Sequence, residues 1–258
     1  MTTAEELRNI LKRILDERPA TGDFLELSRD RETAYVFRGM QRWLEIVHII
    51  EQKGEIQRCL DVGTTPFTFA LKRWCKDVDT LDLNTLLESR CNAAGIKLFV
   101  GGRHWQDNLL PDNHYDCICF LEVIEHMHAN PEKVISYLKN KLRPGGILIL
   151  STPNLMCFGN RVKMLFNRKL AHFNYPPFER DEEHPHTFGH DRLYAPAEMR
   201  EYFEHTGWSS FRLGYHGMAV SDSLSVYPFW IKVLRLPIQL IKYLIPSTRQ
   251  VMLVVAQK

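Results

Sequence analysis

The chain has 258 residues, 45% of them hydrophobic and 25% charged, which is ample material for a core. That balance excludes a disordered, collagen-like or disulfide-dense protein. Lys and Arg number 33 against 31 acidic residues, a net charge of +2, which argues against a chain built to grip long nucleic acid.

The six cysteines, Cys59, Cys75, Cys91, Cys117, Cys119 and Cys157, form no CxxC pair. Several fall inside apolar runs, so they read as buried reduced thiols of a cytoplasmic protein. The N-terminal stretch MTTAEELRNILKRILDE lacks the apolar core of a signal peptide, so export by that route is not expected.

Residues 4–17 place Leu7, Ile10, Leu11, Ile14 and Leu15 on one helical face. A second helix is expected from about 34 to 53, ending at Gly54. The two form an N-terminal helical cap, residues 1–54, before the first strand. Short apolar runs then alternate with helical stretches. Strands are predicted at 56–62, 78–83, 96–100, 115–121 and 146–152, and helices near 67–76, 85–94 and 131–142. Near-continuous apolar strands alternating with helices indicate a doubly wound α/β domain with a mostly parallel sheet. Two further strands, about 208–215 and 250–257, would close its edge and give seven in all. The main domain is thus 55–222 with 248–258, interrupted by an apolar amphipathic insert at 223–247.

In such sheets, ligands bind at the carboxyl ends of the strands. The first strand ends Asp61-Val62-Gly63-Thr64-Thr65-Pro66 and turns into a helix, with Pro66 suited to the first helical position. The N–H groups of that turn and the hydroxyls of Thr64 and Thr65 are candidates to hold a carboxylate or another anion. Asp82 ends the second strand 21 residues after Asp61, the spacing at which nucleotide-binding units grip a ribose diol. The fourth strand exits through Leu121-Glu122-Val123-Ile124-Glu125-His126.

LDVG at 60–63, the acid at 82, YDCICFLEVIEH at 115–126 and LRPGGILILSTPN at 142–154 together resemble the class I S-adenosylmethionine-dependent methyltransferases. The resemblance spans about residues 56–215 and implies a Rossmann-like methyltransferase fold. It further implies S-adenosylmethionine as cofactor, with Asp61 and Gly63 at the amino-acid half and Asp82, beside Leu83, on the ribose. Trp105 and Gln106 would flank the adenine, and Leu121 with Glu122 would line the methionine moiety. One departure stands out. The family loop reads DxGxGxG, whereas Thr65 and Phe67 occupy the second and third glycine positions here.

Glu122, Glu125 and His126 are spaced i, i+3, i+4 and would share one face of a helix. Two carboxylates and an imidazole suit Mn²⁺, Fe²⁺ or Zn²⁺ better than Mg²⁺. This ExxEH pattern resembles two metal-assisted O-methyltransferase groups, one acting on the 3′-terminal ribose of small RNAs and one on catechol-like ubiquinone precursors. Metal-free members of the superfamily carry a similar pattern. In the RNA group a later histidine opens an H-x-x-x-aromatic-x-x-x-Glu pattern, which His190, Tyr194 and Glu198 reproduce. His190 is therefore the candidate fourth ligand, and His126 and His190 are the candidate bases for a hydroxyl acceptor.

The insert 223–247 sets Lys232, Arg235, Gln239 and Lys242 at helical spacing, with apolar and aromatic residues around them. An edge helix or lid, a homodimer interface and a peripheral membrane contact are all compatible with it; Pro228, Pro237 and the charges argue against a spanning helix. The expected function is methyl transfer to a small molecule or carbohydrate, at oxygen. The alternatives are a catalytically silent methyltransferase-like partner and a metal-dependent RNA ribose 2′-O-methyltransferase. Nucleic acid is disfavoured by the low net charge.

Overall fold

The structure is a computed structural model that describes residues 1–17, 36–37, 39–101, 109–127, 129–168, 170, 190, 192–217 and 229–258. Helix α1 (Ala4–Asp16) starts because Thr3 and Glu6 form a reciprocal cap: the Glu6 carboxylate accepts from Thr3 N and the Thr3 hydroxyl accepts from Glu6 N. Its Leu7, Leu11 and Leu15 recur every four residues and are buried. Helix α2 (Met40–Lys53) follows and buries Trp43, Ile46, Val47 and Ile50. Of the rest of the expected 34–53 helix, Val36, Phe37 and Gly39 are described, and the other residues lie outside the described ones.

From there the chain alternates. Strand β1 (Ile56–Val62) leads to α3 (Pro66–Leu71), β2 (Cys75–Asp82), α4 (Glu88–Ala93) and β3 (Lys97–Val100). Strand β4 (Tyr115–Leu121) leads to α5 (Pro131–Lys141) and β5 (Leu142–Pro153). Then come α6 (Phe158–Leu165), α7 (Pro196–His205), β6 (Ser210–His216), α8 (Phe229–Leu244) and β7 (Val251–Gln257). The sheet has seven strands in the order β3-β2-β1-β4-β5-β7-β6. Pairings among β1 to β5 are parallel, and β7 runs antiparallel between β5 and β6. The expected doubly wound, mostly parallel α/β fold is therefore present.

Two apolar layers sandwich the sheet. One joins Leu7, Leu11, Trp43 and Ile46 of the first two helices to Cys59, Phe67, Cys117 and Ile149. The other joins Leu60, Phe120 and Leu148 to Val134 and Leu138 of α5 and Phe203 of α7. All six cysteines are buried free thiols.

Boundaries moved where strand pairing overrode local pattern. The helix expected at 67–76 stops at Leu71, because Cys75 is already paired with Ile56 in the sheet. Strand β5 begins at Leu142, four residues early, opposite Tyr115. In the insert, Lys242 is only 7% exposed whereas Leu240 and Leu244 face solvent. No helix among the described residues is long and apolar enough to cross a membrane.

Candidate functional site

The order of strands reverses between β1 and β4, and the carboxyl ends of β1, β2, β4 and β5 share one edge of the sheet. Open α/β sheets bind ligands at that position. Asp61, Gly63, Asp82, Leu121 and Glu122 all stand there.

The loop after β1 differs from the open turn that its sequence suggests. Gly63 N donates to Leu81 O at 2.9 Å, and Thr64 N donates to Asp82 Oδ2 at 2.8 Å. Thr65 N donates to Thr68 Oγ1 at 2.8 Å, while Phe67 N donates to Thr65 Oγ1 at 3.2 Å. Thr68 N closes the turn on Thr65 O. The N–H groups expected to face an anion thus have acceptors within the chain. The Thr64 hydroxyl is likewise turned inward, 3.0 Å from Thr80 Oγ1, because Thr80 spends its own proton on Asp61 O. An anion held by Thr64 and Thr65, as their sequence suggests, would compete with these internal bonds. The threonine side chains fasten the loop, with Thr65 and Thr68 capping α3. The signal was the Thr-x-x-Thr spacing.

Gly63 has φ +88°, and a Cβ there would meet Val123 Cγ2 at 3.1 Å, so this one glycine keeps its conformational reason. Asp61 is buried and accepts from the Thr68 hydroxyl at 2.5 Å. Burial pushes its carboxyl up to about 7 against that hydrogen bond, and Cys117 and Asp82 add to the rise. Asp82 is half-buried; its Oδ1 accepts from the N–H of exposed Leu83 at 2.7 Å. Trp105 and Gln106 lie outside the described residues.

At the exit of β4 the expected helix is not formed. Glu122 has φ +55°, and only a 3-10 turn, Ile124–His126, follows. The i, i+3, i+4 spacing therefore does not bring three ligands to one face. Glu122 accepts from the Ser151 hydroxyl at 2.9 Å and pairs with Arg42 Nη1 of α2 at 3.2 Å. Of the four ligands expected, Glu122 is not in the group whose donor atoms converge, although its charge still acts on Glu125. Arg42 carried no local signal, since only the fold brings α2 to this strand end.

Glu125, His126 and His190 do converge: one donor atom from each lies within 4.8 Å of the others. The Glu125 side chain is 0% exposed and that of His126 is 42% exposed, with Oε1 and Nε2 4.0 Å apart. Thr152 donates to Glu125 Oε2 at 3.0 Å, and Oε1 has no hydrogen-bond partner among the described residues. Burial first, and then the charge of Glu122, hold Glu125 well above the usual carboxylate range. The rings of His126 and His190 meet edge to face, with centroids 4.8 Å apart. Tyr194 and Glu198 have structural duties. The Tyr194 hydroxyl donates to Ile124 O at 3.3 Å, and Glu198 caps α7 by accepting from Ala195 N.

Residues 3–210 match a methyltransferase domain family. A 47-residue stretch is 45% identical to the mitochondrial ubiquinone biosynthesis O-methyltransferase of Dictyostelium discoideum, covering 18% of this chain and 14% of that enzyme. Among solved structures, the fold is similar to an S-adenosylmethionine-dependent methyltransferase from Archaeoglobus fulgidus. There the identity is 16% and the TM-score 0.52, over 87% of this chain and 99% of that one. It is also similar to a Haloferax volcanii methyltransferase solved with the Trm112 activator: 15% identity and TM-score 0.56, over 93% of this chain and 99% of that one. The family match spans most of the chain and includes both the loop after β1 and the exit of β4. The chain belongs to the class I S-adenosylmethionine-dependent methyltransferases.

Proposed function

We propose that this enzyme transfers the methyl group of S-adenosylmethionine to a hydroxyl of a small molecule or a sugar. In this reading Asp61, Gly63, Leu121 and Glu122 surround the methionine half of the donor. Asp82, with Leu83 beside it, takes the ribose, and Trp105 and Gln106 flank the adenine. Thr64 and Thr65 hold the loop in shape from behind.

The observation that carries the choice of oxygen is the pair of Glu125 and His126. A buried carboxyl group lies behind a half-exposed imidazole at the strand exit nearest the donor. The acceptor oxygen attacks the sulfonium methyl carbon, the C–S bond breaks, and its electron pair stays on sulfur as S-adenosylhomocysteine forms. The hydroxyl proton passes to His126, with His190 against its ring. In-line positioning supplies much of the rate. The local likeness to an O-methyltransferase supports the same choice.

A second reading adds a divalent metal held by Glu125, His126 and His190. The unpartnered Glu125 Oε1 beside two imidazoles fits a three-ligand Mn²⁺, Fe²⁺ or Zn²⁺ site. Such an ion would supply a lowered pKa for the acceptor hydroxyl.

Calorimetric titration of metal-stripped protein with S-adenosylhomocysteine, with and without Mn²⁺, tests both readings. Donor-site binding in the micromolar range, on the order of −8 kcal/mol, is expected in either condition. A separate Mn²⁺ event that disappears in His190→Ala favours the metal. Absence of any cofactor binding would overturn the donor-site assignment.

A further inference from the structure

Helix α8 presents the side that a water-facing helix would hide. Lys242 is buried, whereas Leu236, Leu240, Tyr243 and Leu244, at i, i+4, i+7 and i+8, are all exposed, Leu244 by 66%. Ile245 extends the same apolar run beyond the helix. A second exposed apolar segment belongs to a helix that is tied to the turn after α8. At the end of α6, Val162, Met164, Leu165 and Phe166 are exposed, Leu165 by 80%. The two segments meet at the Pro246–Thr248 turn, where Arg161 of α6 donates to Ser247 Oγ at 3.3 Å. Asn154, just after β5, donates to Ser247 O at 2.9 Å and to Arg249 O at 2.8 Å, anchoring that turn. Exposed apolar side chains on two joined elements exceed what a monomer leaves bare without a reason.

Charge decides what covers them. The sequence has no Asp or Glu between Glu132 and Glu179, and none after Asp222. Those acid-free stretches place Arg161, Lys163 and Arg168 on and just after α6 and Arg249 after α8, while Lys242 is buried away from the apolar side. Arg161 and Arg168 are exposed. A second copy of this face would oppose cation to cation. An anionic bilayer offers counter-charge to the rim and a hydrocarbon boundary to the leucines, and Tyr243 and Phe166 suit the interfacial depth.

We propose that α6, α8 and the Pro246–Thr248 turn after α8 form a platform that docks on an anionic lipid surface, lying in the interface without crossing it. Its helix α6 follows β5 by a short connection that begins at Asn154, at the ligand-binding edge of the sheet.

The test is co-sedimentation of the full chain with vesicles of phosphatidylcholine, alone or mixed with phosphatidylglycerol. The protein should sediment with the mixed vesicles and bind phosphatidylcholine alone about tenfold less tightly or worse. The pairs Leu165→Glu with Phe166→Glu, and Leu240→Glu with Leu244→Glu, should each weaken that binding by roughly tenfold or more. S-adenosylhomocysteine binding, followed in the same samples, reports that the variants are folded. Serine at the same four positions serves if glutamate does not fold. Failure of the wild type to sediment, equal binding to both lipids, or equal binding by the variants would overturn the proposal. So would a dimer in sedimentation velocity that the α8 pair dissociates, with no vesicle binding, since the face would then meet a second copy.

Discussion

Asp61 shows how a single buried carboxyl group ties stability to pH. Its folded pKa is raised to about 7 from 3.8, so between those values the folded state keeps a proton that the unfolded state has released. Its contribution is complete below the lower value and is lost as pH rises through the window, by about 4 kcal/mol at most. Asp61→Asn should therefore flatten the fall in unfolding free energy between about pH 4 and pH 7, as read by urea denaturation at stepped pH. At Asp82, both carboxylate oxygens accept backbone N–H groups, from Thr64 and Leu83. Asp82→Ala should weaken S-adenosylhomocysteine binding roughly tenfold to a hundredfold by calorimetry, as expected for the loss of charged hydrogen bonds. His126→Ala should lower turnover by about a hundredfold or more while leaving donor affinity within a few-fold, because a base acts on the proton in flight. Unchanged turnover would remove His126 from the chemistry.

At the scale of elements, the β1–α3 junction is a loop held in shape by its own threonine side chains. Thr65 and Thr68 satisfy three N–H groups between them, through two hydroxyls and one carbonyl. Thr65→Ala should cost about 1 kcal/mol of stability, the ordinary worth of a helix cap. Gly63→Ala should cost about 2 kcal/mol, because it adds left-handed strain to a 3.1 Å contact with Val123. Denaturation midpoints of the two variants, measured side by side, check that order. If Gly63→Ala proves as stable as the wild type, the loop is more pliable than this packing implies. At β4, the turn after Leu121 sends the two acids to different partners: Glu122 to Arg42, and Glu125 to His126.

Across the whole molecule, the first helix belongs to the same core as the sheet. Leu7, Leu11 and Leu15 pack in one cluster with Cys59, Phe67 and Cys117. The N-terminus is tied down as well: Thr2 N and its hydroxyl donate to Glu51, and Trp74 Nε1 donates to the Thr2 hydroxyl at 3.0 Å. Deleting residues 1–16 should remove about 5 kcal/mol of apolar burial from these three leucines alone. The shortened chain should unfold at markedly lower urea or fail to fold. Unfolding with an unchanged midpoint would mean that α1 is a detachable cap.

The sequence by itself determined the fold class, because buried parallel strands write themselves as unbroken apolar runs, and LDVG, Asp82 and LRPGG mark the strand ends. It also placed Asp61, Gly63, Asp82 and Glu122 at one edge, since that edge follows from strand direction alone. Only the tertiary structure decided which acid keeps company with which base. Helical spacing puts Glu122, Glu125 and His126 together only if the backbone is helical, and Glu122 at φ +55° is not. His190 joins Glu125 and His126 from far along the chain, Arg42 reaches Glu122 from an earlier helix, and Lys242 turns inward while its leucine neighbours turn out. Local periodicity reports which residues share a face; packing decides what that face meets.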